Sequence, residues 1–499
     1  MKILLARPAY SPVYDLISSK TVYKEVSPPF GLLYVAAALE EDGHQVEIID
    51  GELDNLTPDG IIQKIKGIDP DILGVGVTTV DFDYGNLILK EAKEMLGVRT
   101  VMGGPHATVL ADQVLAENPH IDYLVRGEGE TTTRELVRQL DGNTNRSLSQ
   151  IKGLSYRQDG QIVHNEDRPM IADLNQNVLP ARHLIDQRRY LLPVPGKGMR
   201  SMTPIQTMRG CAFKCIYCYR MFGNSVRFRD IIPVVDEIED CLNNQGVESI
   251  TFIDDTFAIN KNRVIELCEE IIKRRLKFPW RCYTRANTID IDILKIMKEA
   301  GCKQISIGVE SGNQEILDIA GKNIKLEYYA RAYKLLGKTG FEKRGSFILG
   351  LPYENARTIR DTIDFAKRLR LDRAFFNICT PYPRTRLFEM AEKHEGIHLT
   401  SDSWKEFKRW GNAVVELDDV SREQLIEWQK IAMMEFYARP SIILHHIAEF
   451  LRGDHEKFYY RPLFFGLKEF YNRKIRRLFR KSHREAAAKS LAETQRDTA

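Results

Sequence analysis

No run of about 18 or more apolar residues occurs in the 499-residue chain, so the sequence offers no candidate for a membrane-spanning helix. Charge of one sign is lacking as well. The 72 Lys and Arg stand against 69 Asp and Glu, and the resulting +3 gives no reason to expect a nucleic-acid partner. The start, MKILLARPAY, has no apolar h-region or small-residue cleavage site and reads as a first strand rather than a signal peptide. No cysteine precedes Cys211. Five of the eight, Cys241, Cys268, Cys282, Cys302 and Cys379, stand singly in apolar stretches, which argues against a disulfide framework and for a reducing cytoplasm. No Gly-x-Gly-x-x-Gly follows the first strand, so a dinucleotide is not expected.

What is present is a rhythm of short apolar runs and helical patterns, in a chain long enough for two to four domains. Over residues 1–145, KILLAR, QVEIID, ILGVGVTT, RTVMGGP and DYLVRGEGE read as parallel strands joined by helices, a doubly wound α/β domain. A ligand of such a domain sits outside the carboxyl ends of the strands. Those ends carry small or turn-forming residues: Thr78 and Thr79, then Gly103, Gly104 and Pro105, then Gly127 and Glu128. Glycines there either shape ordinary turns or let a backbone approach a bulky ligand. Residues 146–200 are polar and proline-punctuated, a linker with a small β element.

From 201 to 400 the rhythm resumes with six strand candidates, TPIQTMRG, SITFIDDTF, RCYTRAN, QISIGVESG, RGSFILGLP and RAFFNICTPYP, which suggests a partial (β/α)6 barrel of TIM type. Residues 401–499 turn mostly helical. Between 461 and 484, basic residues at 461, 468, 473, 474, 476, 477, 480, 481 and 484 face a single acid, Glu469. Phe464, Leu467, Tyr471, Ile475 and Leu478 would share one helix face there. This is either a docked helix with a solvated basic face or a helix that lies in an anionic membrane interface.

At the end of the first barrel strand, RGCAFKCIYCYR places Cys211, Cys215 and Cys218 in eight positions. Tetrahedral zinc needs four ligands, and neither a fourth cysteine nor a histidine is near in sequence. Three thiolates on an iron–sulfur cluster leave one iron open, which suits chemistry better than architecture. A zinc completed from a distant part of the chain remains the alternative.

The Cys-x3-Cys-x-Tyr-Cys pattern, with Tyr217 before the third cysteine, resembles the motif of the radical S-adenosylmethionine (SAM) superfamily. The resemblance implies a [4Fe–4S] cluster on the three cysteines, with SAM on its open iron cleaved to a 5′-deoxyadenosyl radical. It also implies that Asp254 and Asp255 receive the methionine ammonium, Arg285 the carboxylate, Glu310 and Ser311 the ribose or carboxylate end, and Gly350 the adenine. The residue types allow blander roles too, Asp255 as a helix cap and Glu310 as a buried ion-pair partner.

SPPFGLLYVAAAL (27–39), GGPHAT (103–108) and VRGEGE (125–130) are similar to stretches of the cobalamin-binding class of that superfamily, over roughly residues 1–400. The implied architecture is an N-terminal Rossmann-like cobalamin domain, the barrel, and a helical C-terminal region. The Asp-x-His-x-x-Gly of classical cobalamin domains is replaced by ARPAYSPVY, and His106 is the other candidate below the cobalt. The resemblance implies methyl transfer from methylcobalamin to an unactivated carbon of a small molecule, with a lipid or isoprenoid if the basic helix meets a membrane. The alternatives are an oxidative cyclase or ring-rearranging enzyme of the same architecture, and a non-catalytic cobalamin or SAM sensor. An external one-electron reductant of flavodoxin or ferredoxin type is implied. An RNA methylthiotransferase would carry further cysteines before Cys211, and there are none.

Overall fold

The computed structural model describes residues 1–9 and 26–451, with 464, 467–469 and 471. The first sheet contains β1 (Lys2–Arg7), β2 (Gln45–Asp50), β3 (Ile72–Gly76), β4 (Arg99–Gly103), β5 (Tyr123–Val125), β6 (Leu154–Gln158) and β7 (Gln161–His164), in the order β2-β1-β3-β4-β5-β6-β7. Strands β1 to β5 are parallel, and β6 and β7 form an antiparallel hairpin on their edge. KILLAR is buried on both faces: Leu4 and Ala6 join one core, Ile3 and Leu5 the other. A continuous apolar run is what a strand sandwiched between two helical layers requires. The β element expected within 146–200 is the β6–β7 hairpin, which extends the first sheet, while Leu191–Val194 at the end of that segment joins the second.

The second sheet begins with β8 (Leu191–Val194) and β9 (Gly198–Ile205). A short ribbon of β10 (Met208–Arg209) and β11 (Arg227–Phe228) follows, closing the base of the cysteine loop. Then come β12 (Ser249–Phe252), β13 (Trp280–Thr284), β14 (Cys302–Glu310), β15 (Glu342–Leu349) and β16 (Arg373–Ile378). Their order is β16-β15-β14-β13-β12-β9-β8. The six strands from β9 to β16 run parallel and carry the six predicted segments, and β8 adds antiparallel at one edge. The sheet does not close on itself, so the barrel is partial.

Its open edge, β16, is covered by the helix Arg422–Tyr437. The Tyr437 hydroxyl meets the backbone N–H and C=O of Ala374, Gln429 donates to Phe376 O, and Ile378 N donates to Arg409 O. Alternate residues of the edge strand thereby find partners, as a buried edge must. The last described helix of any length, Pro440–Leu451, exposes Leu444, Ile447, Phe450 and Leu451. Among the described residues no helix is long and apolar enough to cross a membrane. Most of the basic segment 461–484 lies outside the described residues.

Candidate active site between the two sheets

The cysteine loop, 210–226, leaves β10 and returns on β11. Gly210 has φ +96°, and a Cβ there would stand 2.2 Å from Ser225 O, so only glycine lets the two limbs close. Cys211 N donates to Gly223 O at 3.2 Å, and Ile216 N to Ala320 O at 3.1 Å. Burial, with the Cys215 thiol and Glu310 nearby, pushes Cys218 up to about 12. Cys215 Sγ also lies 3.7 Å from the Arg285 guanidinium. Among the described residues no three His, Cys, Asp or Glu side chains close on one point as a single ion would need. A cluster instead spreads its thiolates over several irons, and a loop of three nearby thiols with no fourth fits it.

Arg285 stacks on the Phe213 ring at 3.7 Å and donates to Lys322 O, so it braces the cysteine loop from β13. Asp254, expected to receive an ammonium, is fully buried. Its two oxygens take Thr207 N, Thr207 Oγ1 and Met208 N, so they anchor the strand before the loop. Asp255 beside it is exposed and accepts the Gly210 amide. Glu310 ends β14 at φ +68° and accepts from Lys322 Nζ at 2.9 Å. Lys322 also donates to the Tyr217 hydroxyl at 3.2 Å. Lys322 was not singled out by the sequence; its only signal is a lysine after the glycine that ends a helix. Ser311 is wholly buried and its hydroxyl meets Thr362 Oγ1 and Asn313 N, partners other than the SAM expected from the sequence. Gly350 has φ +92°, donates to Glu354, and leaves room for Leu425 of the C-terminal helix.

A cavity of about 860 Å³ lies between the carboxyl ends of the two sheets. From the first sheet it receives Arg7 at the end of β1 and Pro8 beyond it, Thr78 to Asp81 after β3, and Pro105 and Val109 after β4. From the second it receives Tyr217, Cys218 and Glu310, with Ser346, Ile348 and Asn377 from the last two strands. Asn377 donates to Ser346 Oγ at 3.1 Å. Asp81 accepts from Thr78 N, and burial pushes its carboxyl up to about 7. Both strand-end rules therefore point into one space.

The other first-domain residues divide. Gly103 O accepts Val77 N within the sheet. At Gly104 (φ +99°) a Cβ would stand 2.4 Å from Val77 O, so its glycine answers a neighbouring strand rather than a ligand. Gly127 (φ +73°) has open space where a Cβ would be. Thr79 Oγ1 lies 3.3 Å from His106 Nδ1. His106 is buried between Phe82 and Trp404, does not line the cavity, and is pushed down to about 4 by burial. Glu128, expected at a cofactor, faces Arg209 and Arg227 of the barrel instead. The strand ends that line the cavity and its size fit a large organic cofactor.

A model of the radical SAM superfamily matches residues 205–366, and one of the B12 binding domain matches residues 20–137. An uncharacterized methyltransferase of Pyrococcus horikoshii is 36% identical over 452 residues, 90% of this chain and 95% of the relative. The anaerobic magnesium-protoporphyrin IX monomethyl ester cyclase of Rubrivivax gelatinosus is 33% identical over 74% of this chain and 67% of its own. Among solved structures, the radical S-adenosylmethionine methyltransferase TsrM of Kitasatospora setae matches 82% of this chain and 84% of its own. The TM-score is 0.65 at 19% identity, a shared fold.

Proposed function

Because the chain belongs to the cobalamin-binding radical SAM family, as the 36% identity over 90% of its length shows, we propose that it transfers a methyl group to an unactivated carbon of a small molecule. It is an enzyme whose cofactors are a [4Fe–4S] cluster, SAM and cobalamin. The observation that carries the reading is the single cavity onto which the cysteine loop and the first-sheet strand ends both open. When bound, the cluster with SAM supplies a 5′-deoxyadenosyl radical and cobalamin supplies the methyl group.

In this reading Cys211, Cys215 and Cys218 hold the cluster. Tyr217, Asp255 and Glu310 border SAM, with Lys322 holding Glu310 and Tyr217 in place. Arg285 keeps Cys215 oriented. Thr78, Thr79, Pro105 and Gly127 border cobalamin. Ser346, Asn377 and Thr380 offer hydroxyls and an amide beside Ile348 and Ile378, so the substrate has both polar and apolar parts. No acid–base pair is required, because hydrogen abstraction from carbon moves no proton to a side chain. A lipid or isoprenoid is favoured by the exposed Leu444, Ile447, Phe450 and Leu451, followed in sequence by the basic run, which together suit an anionic bilayer surface. An external one-electron reductant feeds the cluster.

The cyclase named among the relatives supports a second reading, oxidative cyclisation in the same cavity. An anaerobic assay separates the two. The loaded enzyme is given methyl-labelled SAM with prenyl alcohols, fatty acids or porphyrin monomethyl esters, and S-adenosylhomocysteine is expected beside 5′-deoxyadenosine. Deoxyadenosine alone would sink methyl transfer in favour of cyclisation or rearrangement. Neither product from a cluster-loaded chain would favour a sensor.

A further inference from the structure

Arg209 and Arg227 are direct cross-strand partners in the ribbon at the base of the cysteine loop. Two like charges facing each other on paired strands repel unless an anion joins them. The anion comes from the other domain. Glu128, at the start of the helix Gly129–Leu140, accepts from Arg209 Nη1 at 2.8 Å and from Arg227 Nη1 at 3.1 and 3.2 Å. It also takes Ile171 N at 2.6 Å. Glu130 takes the other arm of Arg209 at 2.8 Å, and Arg209 lies 4.9 Å from the Tyr34 ring and 5.1 Å from Phe222 within the loop. Arg227 reaches Phe222 O as well. The side chains of Glu128 and Arg209 are 2% and 4% exposed, so water does not compete for these bonds. Burial opposes the Glu128 charge, but Arg227 and Arg209 hold its carboxyl below the usual range.

We infer that Glu128 is a positioning residue, a buried pin that ties the cobalamin-binding domain to both strands under the cysteine loop and so sets where the loop stands relative to that domain. The inference rests on the assignment of the cluster to the loop and of cobalamin to the first domain. Two glutamates balance two arginines here; without the Glu128 charge, one buried guanidinium is left uncompensated beside its twin.

The test is Glu128→Gln in the full chain, followed by hydrogen exchange of the amides in 210–226, both as purified and loaded with cluster and cobalamin. Loss of a charge-assisted bond is expected to speed exchange there about tenfold. Hydroxocobalamin affinity should stay within about threefold of wild type, since the pin touches no cofactor. In the loaded enzyme the ratio of deoxyadenosine to methylated product should rise about tenfold, because the radical is still made while methyl delivery is misaligned. A general structural role would leave that ratio alone. Unchanged exchange overturns the inference, as does lost cobalamin binding with unchanged exchange, which would make Glu128 a cofactor ligand. A wild type that takes up neither cofactor sinks the site assignment instead, and exchange in the purified chain still decides on the pin. Should Glu128→Gln fail to fold, Arg227→Lys keeps the charge but loses the fork to Glu128 and Phe222 O. Exchange faster by about threefold is then expected, and no change overturns the pin.

Discussion

Glu354 accepts the Gly350 and Leu351 amides with one oxygen, and its other oxygen is buried without a partner. Burial pushes its pKa from 4.5 up to about 8. The folded chain therefore binds this proton more tightly than the unfolded one. The resulting stability is complete below pH 4.5 and is lost as pH rises through about 8. Glu354→Gln keeps an acceptor for both amides and removes the titration. Its Tm is expected to vary less than wild type between pH 5 and 9. An unchanged slope would shift the dependence to Asp81 or Asp254, which burial also raises, to about 7 and about 6. At this scale the grouping of three cysteines on one loop was legible, because a short spacing is a local property. Ser311 and Asp254 were not: a serine or aspartate at a strand end reads alike whether it turns to the cavity or to Thr362 and Thr207.

Among the elements, β16 shows why a half-barrel needs its C-terminal helix. Gln429 is 2% exposed and satisfies Phe376 O, Arg409 O and Gly411 N together. Gln429→Leu leaves Phe376 O and Gly411 N dry and unpaired, and is expected to cost about 2–3 kcal/mol in denaturant unfolding. A cost below about 0.5 kcal/mol would mean that the edge is not sealed by this side chain. The strands themselves were readable from their apolar runs and turn residues. Their covering was not, since the 401–499 region announces only that it is helical.

At the scale of the molecule, the exposed face of Pro440–Leu451 and the basic run after it make one surface prediction. The chain is expected to sediment with phosphatidylserine vesicles at low salt and to be released at about 0.5 M salt, where charge attraction is screened. Leu444→Asp with Ile447→Asp should weaken that binding about tenfold or more. Equal indifference to anionic and neutral vesicles would remove the bilayer, and with it the ground for a lipid substrate.

By itself the sequence determined two strand–helix series and a three-cysteine loop at the end of the first barrel strand. Both rest on patterns spanning a few residues, the apolar run of a buried strand and the spacing of thiols on one loop. Only the tertiary structure decided that the carboxyl ends of both sheets open on one cavity. It alone joined Lys322 to Tyr217 across 105 positions and Glu128 to Arg209 across 81. The first pair follows from how the strands of one sheet are ordered and the second from how the two sheets dock, and both are set by the packing of whole faces, which no local spacing encodes.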